Sequence, residues 1–240
     1  MHIAQIAPLQ VSVPPAGYGG TERCIYNLTE ALIKLGHDVT LFATGDSRTS
    51  AKLVPGIPRA INFDVRVDAG AAYLEHIEAA YDQADQFDVI HSHVDYFTLP
   101  ISQTTKTPTV ITLHGRIDSP EFVRILRRYR TKTNFVAISH SQRQQIPDLN
   151  WVSTIHHAID LERFEFYPEP GNYLAFVGRF SPEKCPDLAI EIAKRVGIPM
   201  IMAAKVDYKD QEYFDTVVKP LLKHPLIEYV GTVGEEEKQK

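Results

Sequence analysis

The chain is poor in cysteine, in basic charge and in long apolar runs, and each shortage excludes a class of protein. Its two cysteines, Cys24 and Cys185, lie far apart on helical patterns, and we interpret both as reduced packing residues of a cytoplasmic protein. A formal net charge of −5 argues against a general nucleic-acid binder. No apolar run is long enough for a membrane span, and Met1-His2-Ile3 starts directly on a predicted strand without a signal peptide.

What the sequence does contain is the alternation of strands and helices typical of an α/β protein. Hydrophobic residues make up 44% and charged residues 23% of the chain, as in ordinary soluble globular proteins. The alternation lapses between residues 160 and 171, where Pro168-Glu169-Pro170-Gly171 is the clearest linker. We therefore predict two domains, residues 1–166 and 172–240. The second has about 70 residues, too few for a complete doubly wound domain.

Hydrophobic periodicity predicts the elements of each domain. In the first domain the predicted strands are residues 2–7, 38–44, 61–67, 88–93, 109–113, 134–139 and 153–159, with residues 47–58 as a loop. In the second domain they are residues 173–177, 200–204 and 227–230, with a helix over residues 210–223 and an opening helical turn at 235–240. An incomplete parallel sheet would leave apolar faces on residues 200–204 and 227–230 uncovered, so we predict self-association there.

A strand-to-helix turn in the second domain carries two cations. Gly178 is predicted to end the preceding strand, and a helix with Leu188, Ile192 and Val196 at intervals of four begins at Pro186. Arg179 and Lys184 would then lie at the carboxyl end of a strand, where ligands bind in open α/β sheets. Two cations beside a helix N-terminus suit a phosphate, although two solvated loop charges explain the same spacing.

A glycine-rich loop follows the first predicted strand and precedes a helix. Its sequence, Gly17-Tyr18-Gly19-Gly20-Thr21-Glu22, lacks the sixth-position glycine of the dinucleotide fingerprint, which speaks against a nicotinamide oxidoreductase. An anion site at the helix N-terminus is physically reasonable, and a tight turn without a ligand is the alternative.

Histidines end two further strands. His91 and His93 point to the same side of their strand and could ligate a metal, but a hydrogen-bonded pair is the preferred interpretation. His114 precedes Gly115 and could contact a polar ligand or a loop carbonyl. The arginines between residues 124 and 130 indicate a solvated basic face or, alternatively, a dock for an anionic lipid or acceptor at a membrane surface.

Taken together, these segments resemble a large retaining glycosyltransferase family with the GT-B fold, family 4. The resemblance rests on residues 17–22, 88–93, 112–115, 137–141, 155–160 and, most strongly, 176–184. It implies two Rossmann-like domains, with the acceptor held mainly by the first and a nucleotide-sugar donor by the second. Neither a cofactor nor a metal is implied.

The resemblance also assigns roles to individual residues. Gly19, Gly20, Arg179 and Lys184 match the positions that bind the donor diphosphate. His114 matches the position that contacts the donor sugar near the reacting carbon, where we expect it to orient rather than to act as a general base. Glu22 and His93 are candidate acceptor-side residues.

Two departures from the family pattern limit the expected activity. The paired glutamates, seven residues apart, that hold the donor sugar and ribose have no counterpart here, and His157-Ala158 replaces the usual Asn-Gly. We therefore expect a shortened second domain and little or no catalysis. A non-catalytic binder of sugar nucleotide or acceptor, and a GT-B sugar-nucleotide epimerase, are the alternatives.

Overall fold

The first sheet is built from seven short, apolar strands. The structure is a computed structural model that describes residues 1–62, 64, 66–161, 164, 166, 168–234 and 237. The strands are β1 (His2–Ile6), β2 (Asp38–Thr44), β3 (Lys52–Ile57), β4 (Val89–Ser92), β5 (Thr109–Leu113), β6 (Asn134–Ala137) and β7 (Trp151–Thr154). All pairings are parallel, in the order β3-β2-β1-β4-β5-β6-β7. The order reverses between β1 and β4, which makes their carboxyl ends the expected ligand edge.

The predicted third strand was placed wrongly. The described residues of the segment 61–67 form no strand, and the edge strand is β3, within the segment predicted as a loop. Pro55 and Gly56 look like chain breakers, but β3 pairs only with β2, and proline is tolerated on an edge strand. The last predicted strand, residues 153–159, is also displaced, because β7 ends at Thr154.

Within the described residues, four α-helices lie between these strands. They are α1 (Gly20–Lys34), α2 (Ala69–Tyr81), α3 (Pro120–Arg128) and α4 (His140–Gln145). Asp68, Ser119 and Ser139 cap α2, α3 and α4 by accepting hydrogen bonds from backbone amides of the first turn. Among the described helices of the chain, none has the length and apolar character needed to cross a membrane.

A second, three-stranded parallel sheet is formed by β8 (Leu174–Arg179), β9 (Met200–Lys205) and β10 (Ile227–Gly231), in the order β10-β9-β8. The helix α5 (Pro186–Val196) joins β8 to β9. A helical segment of mixed type joins β9 to β10, with a π-helical turn Phe214–Val218 between α6 (Gln211–Tyr213) and α7 (Lys219–Leu221).

The chain folds into two compact units. The first contains Met1–Pro15 and Gly19–Asp160, and the second contains Ala16–Tyr18 and Leu161–Lys240. The predicted domain limits of 166 and 172 stay predictions, because several nearby residues lie outside the described part. The helical turn predicted at residues 235–240 also falls there, apart from Glu237.

Three details of the second unit differ from expectation. The strand β8 continues through Gly178 to Arg179. Leu188, Ile192 and Val196 are each more than half exposed, since α5 packs on the sheet through Ile190 and Ala193 instead. Cys185 is an exposed thiol with φ 50° before α5 and is not a packing residue.

The basis of the predicted self-association also changes. The central strand β9 is largely buried, with Met202 fully covered, so residues 200–204 are not an uncovered face. Apolar exposure lies on the outer strands, where Val177 is 59% and Val230 44% exposed. Self-association itself stays a prediction.

The packing of β3 against α2 depends on a glycine. His76 on α2 is fully buried and its Nε2 lies 3.0 Å from the carbonyl oxygen of Ala7. A Cβ on Gly56 would lie 2.1 Å from His76 Nδ1 and 2.9 Å from His76 Cβ. The near end of a side chain cannot rotate away, so the ring requires glycine at this position.

We expect Gly56→Ala to destabilise the first unit by about 1–3 kcal/mol, because overpacking must displace a buried ring. Trp151, the only tryptophan, is buried in this unit, so urea unfolding followed by its fluorescence measures the effect. In a double-mutant cycle, Gly56→Ala should cost much less in the presence of His76→Ala. Gly115→Ala, in the same unit and with no described atom within 4 Å of the added Cβ, is the matched control. Additive effects of Gly56→Ala and His76→Ala would contradict the proposed clash.

Candidate functional site

Polar side chains on three neighbouring strands of the first sheet form a hydrogen-bonded chain. Gln5 is the register partner of His91, but its Oε1 lies 2.6 Å from Nε2 of His93, two positions further along. His91 pairs with Val110 in register, and its Nε2 lies 2.8 Å from the hydroxyl of Thr112. His93 Nδ1 then lies 2.8 Å from His114 Nε2. Each bond therefore runs diagonally across a parallel pair, towards the carboxyl edge.

Burial keeps these imidazoles uncharged. Desolvation lowers the pKa of His91 to about 4 and holds the pKa of His93 well below its usual value. The pKa of His114 falls to about 3, first through burial and then through the proximity of His157 and His91. At neutral pH each ring therefore carries one hydrogen, and donates through one nitrogen while accepting through the other.

The chain of histidines continues to His157. Its Nε2 lies 3.4 Å from His114 Nδ1, with the two rings nearly parallel, and its side chain is exposed. A cavity of about 490 Å³ lies alongside, within the range of small-molecule sites. The histidines line one wall of the cavity, and Leu28 of α1 and Val110 of β5 contribute to its largely apolar lining.

His91 and His93 were predicted as a hydrogen-bonded pair. Each ring is hydrogen-bonded, but His91 bonds to Thr112 and His93 to Gln5 and His114, so the described contacts do not join the two rings by a hydrogen bond. The two rings do share a face of the strand, with centroids 4.1 Å apart. Within the described part of the chain, no group of three or more histidine, cysteine, aspartate or glutamate side chains is arranged to hold a metal ion.

The glycine-rich loop leads directly into α1. Gly19 is the residue before the helix and Gly20 its first residue, so the amides of the first turn lie here. A Cβ on Gly19 would lie 2.7 Å from Pro15 Cβ and 3.1 Å from Glu22 Oε2, which explains why a glycine is needed. Glu22 is 6% exposed in the first turn of α1.

Sequence reasoning missed Asp95, three residues after the end of β4. It adopts a left-handed φ of 51°, which is unusual for a residue other than glycine, and desolvation raises the pKa of its carboxyl to about 6. No described side chain or backbone amide donates a hydrogen bond to it. Backbone strain with a poorly solvated carboxylate is typical of functional sites. The only sequence signal was a polar residue just beyond a strand end.

Tyr73 lies close enough to Glu22 and Asp95 to feel the charge of both. Its hydroxyl accepts a hydrogen bond from the Leu9 amide, and its pKa is raised by burial and then by the charges of Glu22 and Asp95. Two exposed aromatic rings follow Asp95: Tyr96, and Phe97, which stacks on Tyr73 with centroids 5.3 Å apart. The ligand edge of the first unit thus combines carboxylates, a phenol and aromatic faces.

In the second unit, Arg179 is held by carboxylates. Its terminal nitrogens donate to Glu183 and, at 3.2 Å, to Asp207. Its Nε lies 3.3 Å from Asp210 Oδ2, but the two atoms are misaligned and make no hydrogen bond. Asp207 also pairs with Lys205 at 2.7 Å. The guanidinium is therefore fixed in place and electrically compensated.

Lys184 differs from Arg179 in its surroundings. It ends the short 3₁₀ helix Pro182–Lys184 and is exposed, with no described carboxylate within ion-pair distance. Arg179 and Lys184 belong to the second unit, whereas Gly19, Gly20 and His114 belong to the first. The donor-site assignment of these five residues stays a prediction.

The fold is that of the GT-B glycosyltransferases. The solved structure of AviGT4, a glycosyltransferase involved in avilamycin A biosynthesis, matches with a TM-score of 0.71 at 24% identity, over 99% of this chain and 65% of its own. The lipopolysaccharide outer core galactosyltransferase WaaB matches with a TM-score of 0.59 at 14% identity, over 99% of this chain and 70% of its own. The chain thus spans just under two thirds of the length of AviGT4.

Residues 18–163 match the sequence profile of Glycosyltransferase Family 4, and the chain belongs to that family. The match covers most of the first unit, including the glycine-rich loop and the histidine chain. A search of curated protein sequences gave no significant match.

The buried histidines predict acid sensitivity of the first unit. The pKa values of His76, His91, His93 and His114 are all lowered by burial, so the unfolded state binds their protons first as the pH falls below about 6.5. Asp95 offsets about one of these protons. Because its pKa is raised to about 6, its carboxyl binds a proton in the folded state at a pH where it is ionised in the unfolded state. We expect a net uptake of about three protons on unfolding near pH 5, and hence a loss of about 4 kcal/mol per pH unit. Urea unfolding followed by Trp151 fluorescence between pH 7 and 5 measures this slope, and a flat profile would contradict it.

Asp95 predicts a gain of stability on neutralisation. Asn tolerates the left-handed backbone, so Asp95→Asn removes the desolvated charge without new strain. Because the folded-state pKa is about 6, we expect the free energy of unfolding to rise by about 1–2 kcal/mol at pH 7.5 and by about half as much at pH 5. The exposed Asp85→Asn is the control. A loss of stability in Asp95→Asn at pH 7.5 would show that the carboxylate has a structural partner.

Proposed function

We propose that this chain binds a nucleotide-sugar donor and transfers the sugar, with retention of anomeric configuration, to a hydroxyl of an acceptor, with weak activity because the paired glutamates that hold the donor sugar and ribose have no counterpart in this sequence. The observation that carries the proposal is His114, held uncharged and in a fixed orientation at the carboxyl end of β5 in a family 4 glycosyltransferase. Because its pKa is lowered to about 3, this imidazole is a weak base, and its fixed orientation suits hydrogen bonding to a sugar hydroxyl better than proton abstraction. AviGT4 and WaaB support the fold on which this assignment rests.

The donor diphosphate is assigned to the amides of Gly19 and Gly20 together with Arg179 and Lys184. Helix-end amides and fixed cations stabilise the charge that develops on a nucleoside diphosphate leaving group, so the proposed reaction needs no metal or cofactor. Since three carboxylates compensate Arg179, Lys184 supplies the uncompensated positive charge of its loop. Arg179 contributes directed hydrogen bonds.

The acceptor side is assigned to the first unit, around Glu22 and Asp95. His93, proposed from the sequence for the same side, is buried with both ring nitrogens hydrogen-bonded, so its contribution is to hold His114. Carboxylates of low solvation repel anions but accept hydrogen bonds from hydroxyls, and exposed aromatic rings pack against sugar faces.

The arginines of α3 give weaker support for an anionic acceptor than the sequence suggested. Arg127 forms an ion pair with Asp148 at 3.3 Å, so the charge of Arg127 is already compensated. We therefore propose an uncharged polyhydroxylated acceptor group.

Incubation with nucleotide sugars, with and without mono- and disaccharide acceptors, separates this function from its alternatives. A transferred sugar supports the transferase, an epimerised nucleotide sugar supports the isomerase, and binding without either product supports a non-catalytic binder. The three outcomes are distinguished by mass spectrometry and NMR of the products.

We expect Lys184→Ala to weaken donor binding at least about tenfold, because it removes a charge-assisted contact to phosphate. Calorimetric titration with UDP-, GDP- and ADP-sugars measures this for the nucleotide that the parent chain binds. Arg179→Lys should weaken binding as well, since lysine lacks the fork of donors.

The matched control is Lys223→Ala, another exposed lysine of the second unit that precedes β10 at the opposite edge of the sheet. It should leave the dissociation constant unchanged. Equal affinity in the parent and in Lys184→Ala would remove Lys184 from the donor site. No binding of any donor by the parent would contradict the proposed function of this chain.

A further inference from the structure

The hydrogen-bonded chain that ends at His114 begins at a residue with no predicted role, Gln5. The Gln5 side chain is fully buried in the middle of the first sheet, on β1. A buried polar side chain in a central parallel strand costs stability relative to an apolar one unless it is well paired. Its Oε1 has a short contact of 2.6 Å with His93, while its Nε2 has no described hydrogen-bond partner. Gln5 is thus only half satisfied, and its one strong contact is with the histidine chain.

The bonding requirements of the chain leave two proton arrangements. His93 and His114 are uncharged, so the single hydrogen on each ring must occupy one of its two nitrogens. The contact between His93 Nδ1 and His114 Nε2, 2.8 Å long, allows a hydrogen on only one of these atoms. Fixing the hydrogen on His93 therefore also fixes the hydrogen on His114.

The Gln5 carbonyl selects between these arrangements. An amide oxygen only accepts, so His93 must donate from Nε2 and present a bare Nδ1. His114 must then donate from Nε2, which leaves a lone pair on its Nδ1. That lone pair faces His157 at 3.4 Å, a long contact to an exposed ring that a ligand hydroxyl can replace.

We propose that Gln5 is a positioning residue that sets the tautomer of His114 through His93, so that His114 offers an acceptor lone pair at Nδ1. The inference rests on the proposed function for its purpose: a lone pair at Nδ1 accepts a hydrogen bond from a hydroxyl of the substrate. The assignment of the tautomer itself follows from the structure alone and does not depend on the proposed function. Gln5 acts two residues removed from the ligand and touches no reacting atom.

The test measures tautomers directly, in the full chain and without substrate. Histidine side chains labelled with ¹⁵N give two-bond and three-bond ¹H–¹⁵N correlations that distinguish a hydrogen on Nε2 from one on Nδ1, and single histidine substitutions assign the signals. In the parent we expect both His93 and His114 in the Nε2–H form, with an exchange-protected, downfield N–H resonance from the short bond to Gln5.

Gln5→Met preserves size and removes the acceptor. We expect the downfield resonance to disappear and a second tautomer to become populated at His93 and His114. Gln5→Glu restores an acceptor, and should restore the parent tautomer at a pH where His93 is uncharged. The control is Thr112→Val, which releases His91 but leaves the bonds among Gln5, His93 and His114 in place.

A parent chain with His114 in the Nδ1–H form would overturn the inference, because the Gln5 amide would then donate. Unchanged tautomers in Gln5→Met would also overturn it. Neither result depends on donor binding, so failure of the inference is distinguishable from failure of the proposed function, which the calorimetric titration of the parent decides. If the donor binds, Gln5→Met should weaken it several-fold while Thr112→Val does not.

Discussion

The parallel register of β1, β4 and β5 is the constraint on which the candidate site depends. Register places Gln5 beside His91, and His93, the first residue after β4, lies diagonally ahead on the same side as His91. The same diagonal offset relates His93 to His114, which follows β5. Polar groups from three strands are therefore hydrogen-bonded in a row that runs towards the carboxyl edge of the sheet. A one-residue slip of any of these strands would turn its own polar side chains to the opposite face and break the chain. The sheet that builds the fold thus also fixes the geometry of His114.

The two units solve the electrostatic problem of a buried polar site differently. In the first unit, burial removes the charge from the histidines, and satisfaction comes from directed hydrogen bonds among neutral rings. In the second unit the charges remain, and Glu183, Asp207 and Asp210 compensate Arg179 and Lys205. The first arrangement is sensitive to pH below neutrality, whereas the second keeps its ionic form over a wide range because arginine does not deprotonate.

Periodicity in the sequence predicted the positions of most strands and helices, but not which elements pack against one another. The segment 109–113 was predicted with its observed bounds, because a β-branched run between breakers has few alternatives. The segment 52–57 was missed, since Pro55 and Gly56 are strong breakers and only an edge position makes them acceptable. Likewise, the four-residue spacing of Leu188, Ile192 and Val196 identified a helix without revealing which face packs on the sheet. Which strand lies next to another, and which face of a helix packs on the sheet, depend on the tertiary structure and cannot be predicted from local spacing.

The same limit applies to the site. His93 and His114 were recognisable because histidines at strand ends stand out from an apolar background. Gln5 and Asp95 were not, because their importance lies in unsatisfied or strained geometry that no spacing encodes. Burial of a half-satisfied amide and of a poorly solvated carboxylate reduces stability, and such costs persist where a site needs them.

The compensation of Arg179 is compatible with a role in phosphate binding. A guanidinium has five N–H donors, and the contacts with Glu183 and Asp207 use one on each terminal nitrogen. One further donor on each terminal nitrogen has no described partner, and the misaligned contact of Nε with Asp210 is easily given up. The carboxylates therefore hold the guanidinium in place and leave some of its N–H donors for a ligand. Under the proposed function, a fixed donor of this kind would lose little entropy on binding, and Lys184 would supply the long-range attraction for the anion.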